Sequence, residues 1–352
     1  MRAVAATLVV STVLAAAATA GSGSDARAAA CRWKVALQLT SVLRGARGDV
    51  YTVAAVSGRD VWVGGWDGRR VSTDAIRATP LLAHWNGDRW RRTPVPVRWG
   101  IAAPVVALSP NDVWAVVDNR DGTLLLHWNG RRWSRAALPP GASAYQTSLA
   151  LGSHRRLWLV GRRVYVRAGS GWRLQKQFGD NPANARLVVS RWTDTVWRVI
   201  PSPQPGARAP RVERWTGRRW VTTPTAASRF TDLGTPLAFS PSDAWLGGSD
   251  GDDAFLFHWN GRTWRRVGGG PPKRGVTASA LAPSRGDLWL AGSLATPART
   301  ASPPYLRHRL GSRWTTIAPP TQEDADDVTL YGVGGETWAR TDLRHDVYRL
   351  VC

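Results

Sequence analysis

A tryptophan-centred motif recurs seven times along this chain and constrains the fold more than any other feature of the sequence. The motif is a small residue, an apolar residue, Trp and another apolar residue, as in SPNDVWAV at 109–116 and SPSDAWLG at 240–247. Its tryptophans are Trp62, Trp114, Trp158, Trp197, Trp245, Trp289 and Trp338. Successive copies are 39 to 52 residues apart, which is the period of a repeat protein built from small β units.

A second motif, typified by HWNGRRW at 127–133, lies between copies of the first. Its last tryptophans are Trp90, Trp133, Trp172, Trp220, Trp264 and Trp314, so there are six copies against seven of the first motif. The missing copy is divided between the chain ends. Cys31-Arg32-Trp33 matches the end of the motif, and 346–352 parallels the strand before it. We therefore predict that the two ends pair and close a ring.

Each unit carries signals for four short strands, named a to d in chain order. Strand a, such as Val105–Leu108, precedes a Ser-Pro-x-Asp turn in which Pro presets φ and Asp can bond its own backbone. Strand b carries the first-motif Trp, strand c ends at an Asn-Gly hairpin signal, and strand d carries the final Trp. Seven such units predict an all-β, seven-bladed β-propeller whose N- and C-terminal strands close the last blade. Tandem β-sandwiches would need about 100 residues per domain.

The repeats resemble the Trp-rich propeller repeats of secreted actinobacterial-type proteins, in the broad kelch, galactose-oxidase-like and Asp-box group. The resemblance covers residues 31–352. Gly261-Arg262-Thr263-Trp264 is similar to the end of an Asp-box turn, although Phe257 and Trp259 replace its defining Ser and Asp. This resemblance implies a fold and leaves the activity open.

Residues 1–28 are predicted to be a signal peptide. Arg2 precedes an apolar run over 3–20, and small-residue cleavage sites end at Ala20 or Ala28. A signal-anchor helix is the alternative, but the run is Ala-rich and is followed by Gly-Ser-Gly-Ser. We expect a secreted protein in which 29–352 form a single propeller domain, with no membrane span after cleavage.

The two cysteines, Cys31 and Cys352, fall on either side of the predicted closure. In an exported chain they are expected to form a disulfide. Ala28-Ala29-Ala30-Cys31 could instead be a lipoprotein attachment site, but no Leu stands three residues before the cysteine. The sequence therefore favours the disulfide over a lipid anchor.

The formal net charge is +22. A strongly basic exported protein could bind acidic polymers such as wall polysaccharides or nucleic acid, whereas the alternative is a solvated arginine-rich surface. Because the arginines stand at repeated turns without the interleaved aromatic residues of single-strand readers, we expect no nucleic-acid partner.

Three of the 21 tryptophans, Trp66, Trp99 and Trp192, fall outside the repeats. Trp66 is predicted to start the long b–c loop of the first blade, and Trp99 to lie in the connection to the second. Both segments should open on the loop-rich face, which is formed by the b–c loops and the connections between blades. Neighbouring exposed tryptophans suit stacking on a sugar ring, and capping of the blade junction is the alternative. Trp192 is expected before an a–b turn on the opposite face.

Other polar groups give weaker signals. His84, His127, His258 and His308 stand six residues before strand-d tryptophans in different blades, too far apart to share a metal. A hydrogen bond within the hairpin is their expected role. Asp250, Asp252 and Asp253 could hold Ca²⁺ in a loop-rich-face turn, although they copy no known calcium loop. A solvated turn is the alternative, and no other cofactor is predicted.

No catalytic residues are predicted, because Gly-rich phosphate loops, CxxC pairs and Ser-His-Asp signatures do not occur. Tyr51, Tyr145 and Tyr331 start inner strands near the channel mouth, but no sequence pattern ties them to a carboxylate. We expect a non-enzymatic, monomeric binding or scaffold propeller whose partner is an extracellular glycan or protein. The alternative is a glycan-active hydrolase or lyase with its site at the channel mouth.

Overall fold

The protein is a seven-bladed β-propeller in which each blade is an antiparallel sheet. The computed structural model describes residues 31–351 apart from 46, 71–75, 143–147, 162, 178–185, 201–209, 225–231, 250–252, 274, 276, 282–285, 296–302, 322–327, 334–335 and 342–345. The predicted fold class, blade number and strand order are therefore confirmed.

The strands follow one another from the channel to the rim of each blade, except that the first strand, β1 (Arg32–Leu37), belongs to the last blade. Blade 1 contains β2 (Arg47–Ser57), β3 (Asp60–Arg70), β4 (Ile76–Trp85) and β5 (Trp90–Arg92). Blade 2 contains β6 (Ile101–Ser109), β7 (Asp112–Asn119), β8 (Gly122–Trp128) and β9 (Trp133–Ala136). Blade 3 contains β10 (Ser148–Leu151), β11 (Leu157–Val160), β12 (Arg163–Ala168) and β13 (Gly171–Gln177).

Blade 4 contains β14 (Arg186–Val189), β15 (Val196–Ile200), β16 (Arg211–Trp215) and β17 (Trp220–Thr223). In blade 5 the inner strand is split into β18 (Asp232–Leu233) and β19 (Leu237–Ser240), followed by β20 (Asp243–Ser249), β21 (Ala254–Trp259) and β22 (Trp264–Arg266). Blade 6 contains β23 (Ser279–Leu281), β24 (Leu288–Ser293), β25 (Pro304–Leu310) and β26 (Arg313–Ile317). Blade 7 contains β27 (Val328–Val333), β28 (Glu336–Thr341) and β29 (Val347–Val351), with β1 as its outermost strand.

The ring is closed by the pairing of the two ends, as predicted. β1 is antiparallel to β29, with Arg32 opposite Val351 and Lys34 opposite Arg349. The indole nitrogen of Trp33 donates to the carbonyl of Ala318 in the preceding blade at 2.8 Å. Because Cys352 lies outside the described residues, the disulfide stays a prediction.

The repeated tryptophans build the core between neighbouring blades. The strand-b residue Trp62 of blade 1 is completely buried and meets the strand-d residue Trp133 of blade 2 edge to face, at 5.4 Å between ring centroids. Trp197 and Trp264 repeat this contact between blades 4 and 5. A buried Trp removes 150–250 Å² from water, which contributes about 4–6 kcal/mol before the entropic cost. The tryptophan motifs therefore recur because neighbouring blades bury their contact surface with these side chains.

The Asn-Gly signals form the predicted tight turns between strands c and d. Asn129 Oδ1 accepts hydrogen bonds from the amides of Arg131 and Arg132, both at 3.0 Å. Gly130 has φ of +90°, a conformation that costs little for glycine alone. Together with the a–b turns, these hairpins form the turn face, opposite the loop-rich face.

Two short 3-10 turns, Leu39–Ser41 and Ser153–Arg155, interrupt the β structure. Within the described part of the chain, no helix has the length and apolar character needed to cross a membrane.

Candidate functional site

Blade 1 carries a β-hairpin that extends farther on the loop-rich face than the corresponding hairpin of blade 2. Its strands β3 and β4 stay paired as far as Arg70 opposite Ile76, whereas the corresponding pairing in blade 2 ends at Asn119 opposite Gly122. Trp66 lies inside β3, opposite Pro80, and not at the start of a loop. The predicted position of Trp66 was therefore wrong, because the sequence gives no sign that pairing continues past the core of the blade.

Asp67, the residue after Trp66, fixes the base of this hairpin. Its side chain is 2% exposed and accepts hydrogen bonds from the amides of Arg44 and Gly45, at 2.9 and 2.8 Å. The Arg92 guanidinium on strand d completes the ion pair. Burial alone would raise the pKa of this carboxyl, but the amide hydrogen bonds and Arg92 hold the pKa below its ordinary value. Asp67 thus joins the strand entering blade 1 to its hairpin and its outer strand.

Trp66 and Tyr51 form an aromatic pair beside the channel. The Trp66 indole nitrogen donates to the Tyr51 hydroxyl at 3.2 Å, and Tyr51 is 43% exposed. The Tyr331 hydroxyl of blade 7 donates to the Tyr51 carbonyl, also at 3.2 Å. This arrangement brings Tyr51 and Tyr331 together, while Tyr145 lies outside the described residues. The resulting surface spans the junction of blades 7 and 1.

A buried ion pair underlies Tyr51. Arg340 in blade 7 donates to the Val50 carbonyl at 2.7 Å and approaches Asp49 at 3.4 Å. Partial burial, and in addition the negative charge of Asp49, raises the pKa of the Tyr51 phenol, although the Trp66 hydrogen bond and Arg340 oppose the shift. The protonated Tyr51 hydroxyl can act as both a donor and an acceptor of hydrogen bonds. Asp49 stands only two residues before Tyr51, but its ion pair with Arg340 joins residues that are 291 positions apart in the sequence.

Trp99 lies in the connection between blades 1 and 2, as predicted. Its side chain is 43% exposed, and the Arg98 guanidinium stands 4.9 Å from the ring centroid. The next amide, from Gly100, donates to the Ala78 carbonyl at 2.8 Å. Ala78 belongs to the hairpin strand that pairs with the Trp66 strand. The Trp99 connection is therefore attached directly to the hairpin that carries Trp66.

The central channel contains a cavity of about 380 Å³. The inner strands and turns of blades 4 to 7 form its wall, including Val188, Arg191, Trp192, Pro236, Leu237, Leu330 and Tyr331. Among the described residues that line it, none is Asp or Glu. Trp192 stands in an a–b turn, as predicted, and its ring packs on Phe239 at 4.8 Å.

The predicted calcium cluster lies largely outside the described residues. Asp250 and Asp252 are not described, and Asp253 is an exposed residue immediately before β21. Within the described ranges, no three His, Cys, Asp or Glu side chains come together as a metal site. The Ca²⁺ site at Asp250, Asp252 and Asp253 therefore stays a prediction.

The recurring histidines form hydrogen bonds within the hairpin of strands b and c, and the partner in each blade is an aspartate. Their Nε2 atoms meet the aspartate that starts strand b in the same blade, and each ring stacks on the strand-b Trp. The pairs are His84–Asp60, His127–Asp112, His258–Asp243 and His308–Asp287. Because each aspartate is occupied by this contact, these groups have structural roles in four separate blades.

Comparisons with known proteins identify the architecture and not a family. No protein-family model matches the chain, and no curated protein matches it. A solved structure of YCF48 bound to D1 peptide has a TM-score of 0.60 at 15% identity, covering 92% of this chain and 97% of that chain. YCF48 from Cyanidioschyzon merolae also gives 0.60, at 12% identity, covering 90% of this chain and 98% of that chain.

Two further similar structures belong to a lyase and to a protease. Virginiamycin B lyase from Staphylococcus aureus, a catalytically inactive variant with quinupristin, gives a TM-score of 0.58 at 10% identity, with 92% and 99% coverage. The propeller domain of a protease from Pyrococcus furiosus gives 0.54 at 10% identity, covering 86% of this chain and 92% of that chain. The likeness shows the fold alone. The kelch or Asp-box family and the actinobacterial type stay predictions.

Proposed function

We propose that this protein is a secreted, non-enzymatic binding propeller that recognises extracellular glycan through the loop-rich face of blade 1. The hydrogen-bonded pair of Trp66 and Tyr51, with Tyr51 43% exposed, is the observation that carries the proposal. An aromatic ring with a polar edge can stack on the apolar face of a sugar while a hydroxyl bonds its rim.

Trp99 extends this surface along the blade 1–2 connection. Its 43% exposure leaves ring area for a ligand, and Arg98 beside it supplies a cation for acidic sugars. The Gly100–Ala78 hydrogen bond attaches the connection to the hairpin, so little ordering is needed on binding. We name Tyr51, Trp66 and Trp99 the aromatic surface.

One feature supports binding over catalysis. No Asp or Glu stands among the described residues that line the channel cavity. Glycoside hydrolysis normally requires two acidic groups flanking the scissile bond. The neighbour YCF48 is described with a bound peptide, so a protein partner is the alternative ligand for the same surface.

The test is binding of the purified protein to a panel of neutral and acidic polysaccharides, at low and high salt, while released sugars are recorded. Trp99→Ala and Tyr51→Phe probe the aromatic surface. Leu310→Ala, at a residue 37% exposed on the opposite face, is the matched control. We expect salt-resistant binding that falls about tenfold in Trp99→Ala and is unchanged in Leu310→Ala.

Other outcomes would overturn the proposal. Binding that disappears with salt equally in all variants would identify rim-arginine electrostatics instead. Released sugar would identify the hydrolase or lyase. Absence of both binding and release would leave a protein partner.

A further inference from the structure

Arg191 places a positive charge at the turn-face end of the channel, and none of the described carboxylates forms an ion pair with it. Arg191, in the a–b turn of blade 4, is exposed and lines the channel cavity. Its guanidinium stands 5.4 Å from the Trp192 ring centroid, and it forms no hydrogen bond or ion pair with any described residue. An arginine that lines a cavity and has no carboxylate partner in the protein can form an ion pair with the carboxylate of a ligand.

A second arginine reinforces this charge. Arg155, in the a–b turn of blade 3, is held by hydrogen bonds to the carbonyls of Leu108 and Ala107 in blade 2. Desolvation, together with the positive charge of Arg155, lowers the pKa of the Arg191 guanidinium. Arg155 therefore adds positive charge to the surroundings of Arg191 from the neighbouring blade.

The nearest described carboxylate is already occupied. Asp194 accepts hydrogen bonds from the amide and hydroxyl of Ser153, at 2.6 and 2.8 Å, and pairs with Arg156 at 3.2 Å. His154, Arg155 and Asp194 all have left-handed φ values of 51–57°. These contacts hold the strained turns in place. Arg156 balances the charge of Asp194, whereas neither Arg155 nor Arg191 forms an ion pair with a described residue.

The wall beyond Arg191 is mainly apolar. The lining includes Trp192, whose ring contacts Phe239 and Arg191, and the apolar residues Val188, Pro236, Leu237 and Leu330. A volume of about 380 Å³ is within the range of small-molecule sites. The chemistry is that of a cation at the entrance to an apolar pocket.

We propose that the turn-face mouth of the channel is a second binding site, for a small carboxylate with an apolar body. The carboxylate contacts the Arg191 guanidinium, with Arg155 adding to the field, and the apolar body lies along the wall formed by Leu237 and Leu330. This site is on the face opposite the aromatic surface and does not depend on glycan recognition.

The test compares 3-phenylpropionate with its neutral amide, 3-phenylpropionamide, by isothermal titration calorimetry in Tris chloride. We expect the acid to bind at least tenfold more tightly than the amide, and Arg191→Gln to remove that preference while leaving amide binding unchanged. Arg131→Gln removes the same charge from an exposed hairpin and is the matched control.

Equal binding of acid and amide would overturn the proposal, as would an equal loss in Arg131→Gln or no binding of either compound. Arg191→Gln should keep the melting temperature of the wild type, because Arg191 forms no hydrogen bond or ion pair with a described residue. Unchanged glycan binding by this variant would show that the two sites are independent.

Discussion

His127 Nε2 lies 2.9 Å from Asp112 Oδ1 while the His127 ring stacks on Trp114 at 4.3 Å between centroids. The same carboxylate oxygen accepts the Trp114 indole N–H at 2.6 Å. One aspartate therefore fixes both the strand-b tryptophan and the ring that covers it. In blade 7 a glutamate replaces this aspartate and an arginine replaces the histidine. Glu336 accepts a hydrogen bond from the Trp338 indole at 3.2 Å and pairs with Arg349 at 2.6 Å.

Removing this aspartate should loosen its blade. We expect Asp112→Ala to lower the free energy of unfolding by about 1–3 kcal/mol, because His127 and the Trp114 indole both lose their acceptor. The double variant Asp112→Glu/His127→Arg, which copies blade 7, should recover most of this loss. Urea denaturation followed by tryptophan fluorescence measures both. A double variant less stable than Asp112→Ala would contradict the equivalence of the two pairs.

Asp67 should contribute stability that depends on pH. Its pKa in the folded protein is below the ordinary value of 3.8, so its contribution is present above that pH and is lost as the pH falls through the folded pKa. Asp67→Asn should cost about 3–5 kcal/mol at pH 7, where it leaves the buried Arg92 unpaired. The difference from the wild type should shrink below pH 4.

Urea denaturation at pH 7 and pH 3 measures this effect. Asp88→Asn, at an exposed hairpin position, is the control and should change little at either pH. A cost for Asp67→Asn that does not change with pH would mean that the charge is unimportant.

The predicted Cys31–Cys352 disulfide should stabilise the closed ring by about 6 kcal/mol in the chain-entropy model. Cys31→Ser and Cys352→Ser should each lower the melting temperature equally, and a reducing agent should affect only the wild type. Peptide mapping with and without reduction identifies the bond. Labelling of both cysteines by a thiol reagent in the unreduced, denatured protein would argue against it.

Trp264 joins blades 4 and 5 through one buried hydrogen bond. Its indole nitrogen donates to Thr223 Oγ1 at 2.9 Å. We expect Trp264→Phe to lower the free energy of unfolding by about 2 kcal/mol, through the lost hydrogen bond and reduced packing. Trp264→Phe combined with Thr223→Val should cost less than the sum of the single changes, as a double-mutant cycle in guanidinium chloride would show. Additive costs would exclude coupling.

The sequence predicted the ring because the repeat reports on packing that is the same in every blade. Trp33 could be assigned to strand d of blade 7 since its surroundings match Trp90 and Trp133. The aromatic surface was predicted only in part. Trp99 was placed correctly, but Trp66 was not. Its position depends on pairing of β3 with β4 beyond the blade core, and the sequence has no periodic pattern that indicates this pairing.

The channel site could not be predicted for a different reason. Arg191 is one of many arginines in a basic chain, and only the folded ring shows which of them faces the channel without a partner. Asp49 and Arg340 likewise meet only because blade 7 lies beside blade 1. Residues that act across the ring closure are distant in sequence, so no local pattern connects them.

The pairing of β1 with β29 makes the whole molecule dependent on its last few residues. During synthesis, β1 is made about 300 residues before its partner strand β29. The ring therefore cannot close until the end of the chain has been translated. A premature stop before Val347 would yield an open arc in which β1 and β28 lack a neighbour. Exposed strand edges of this kind recruit other chains, and truncated products should therefore aggregate and be degraded instead of surviving as smaller propellers.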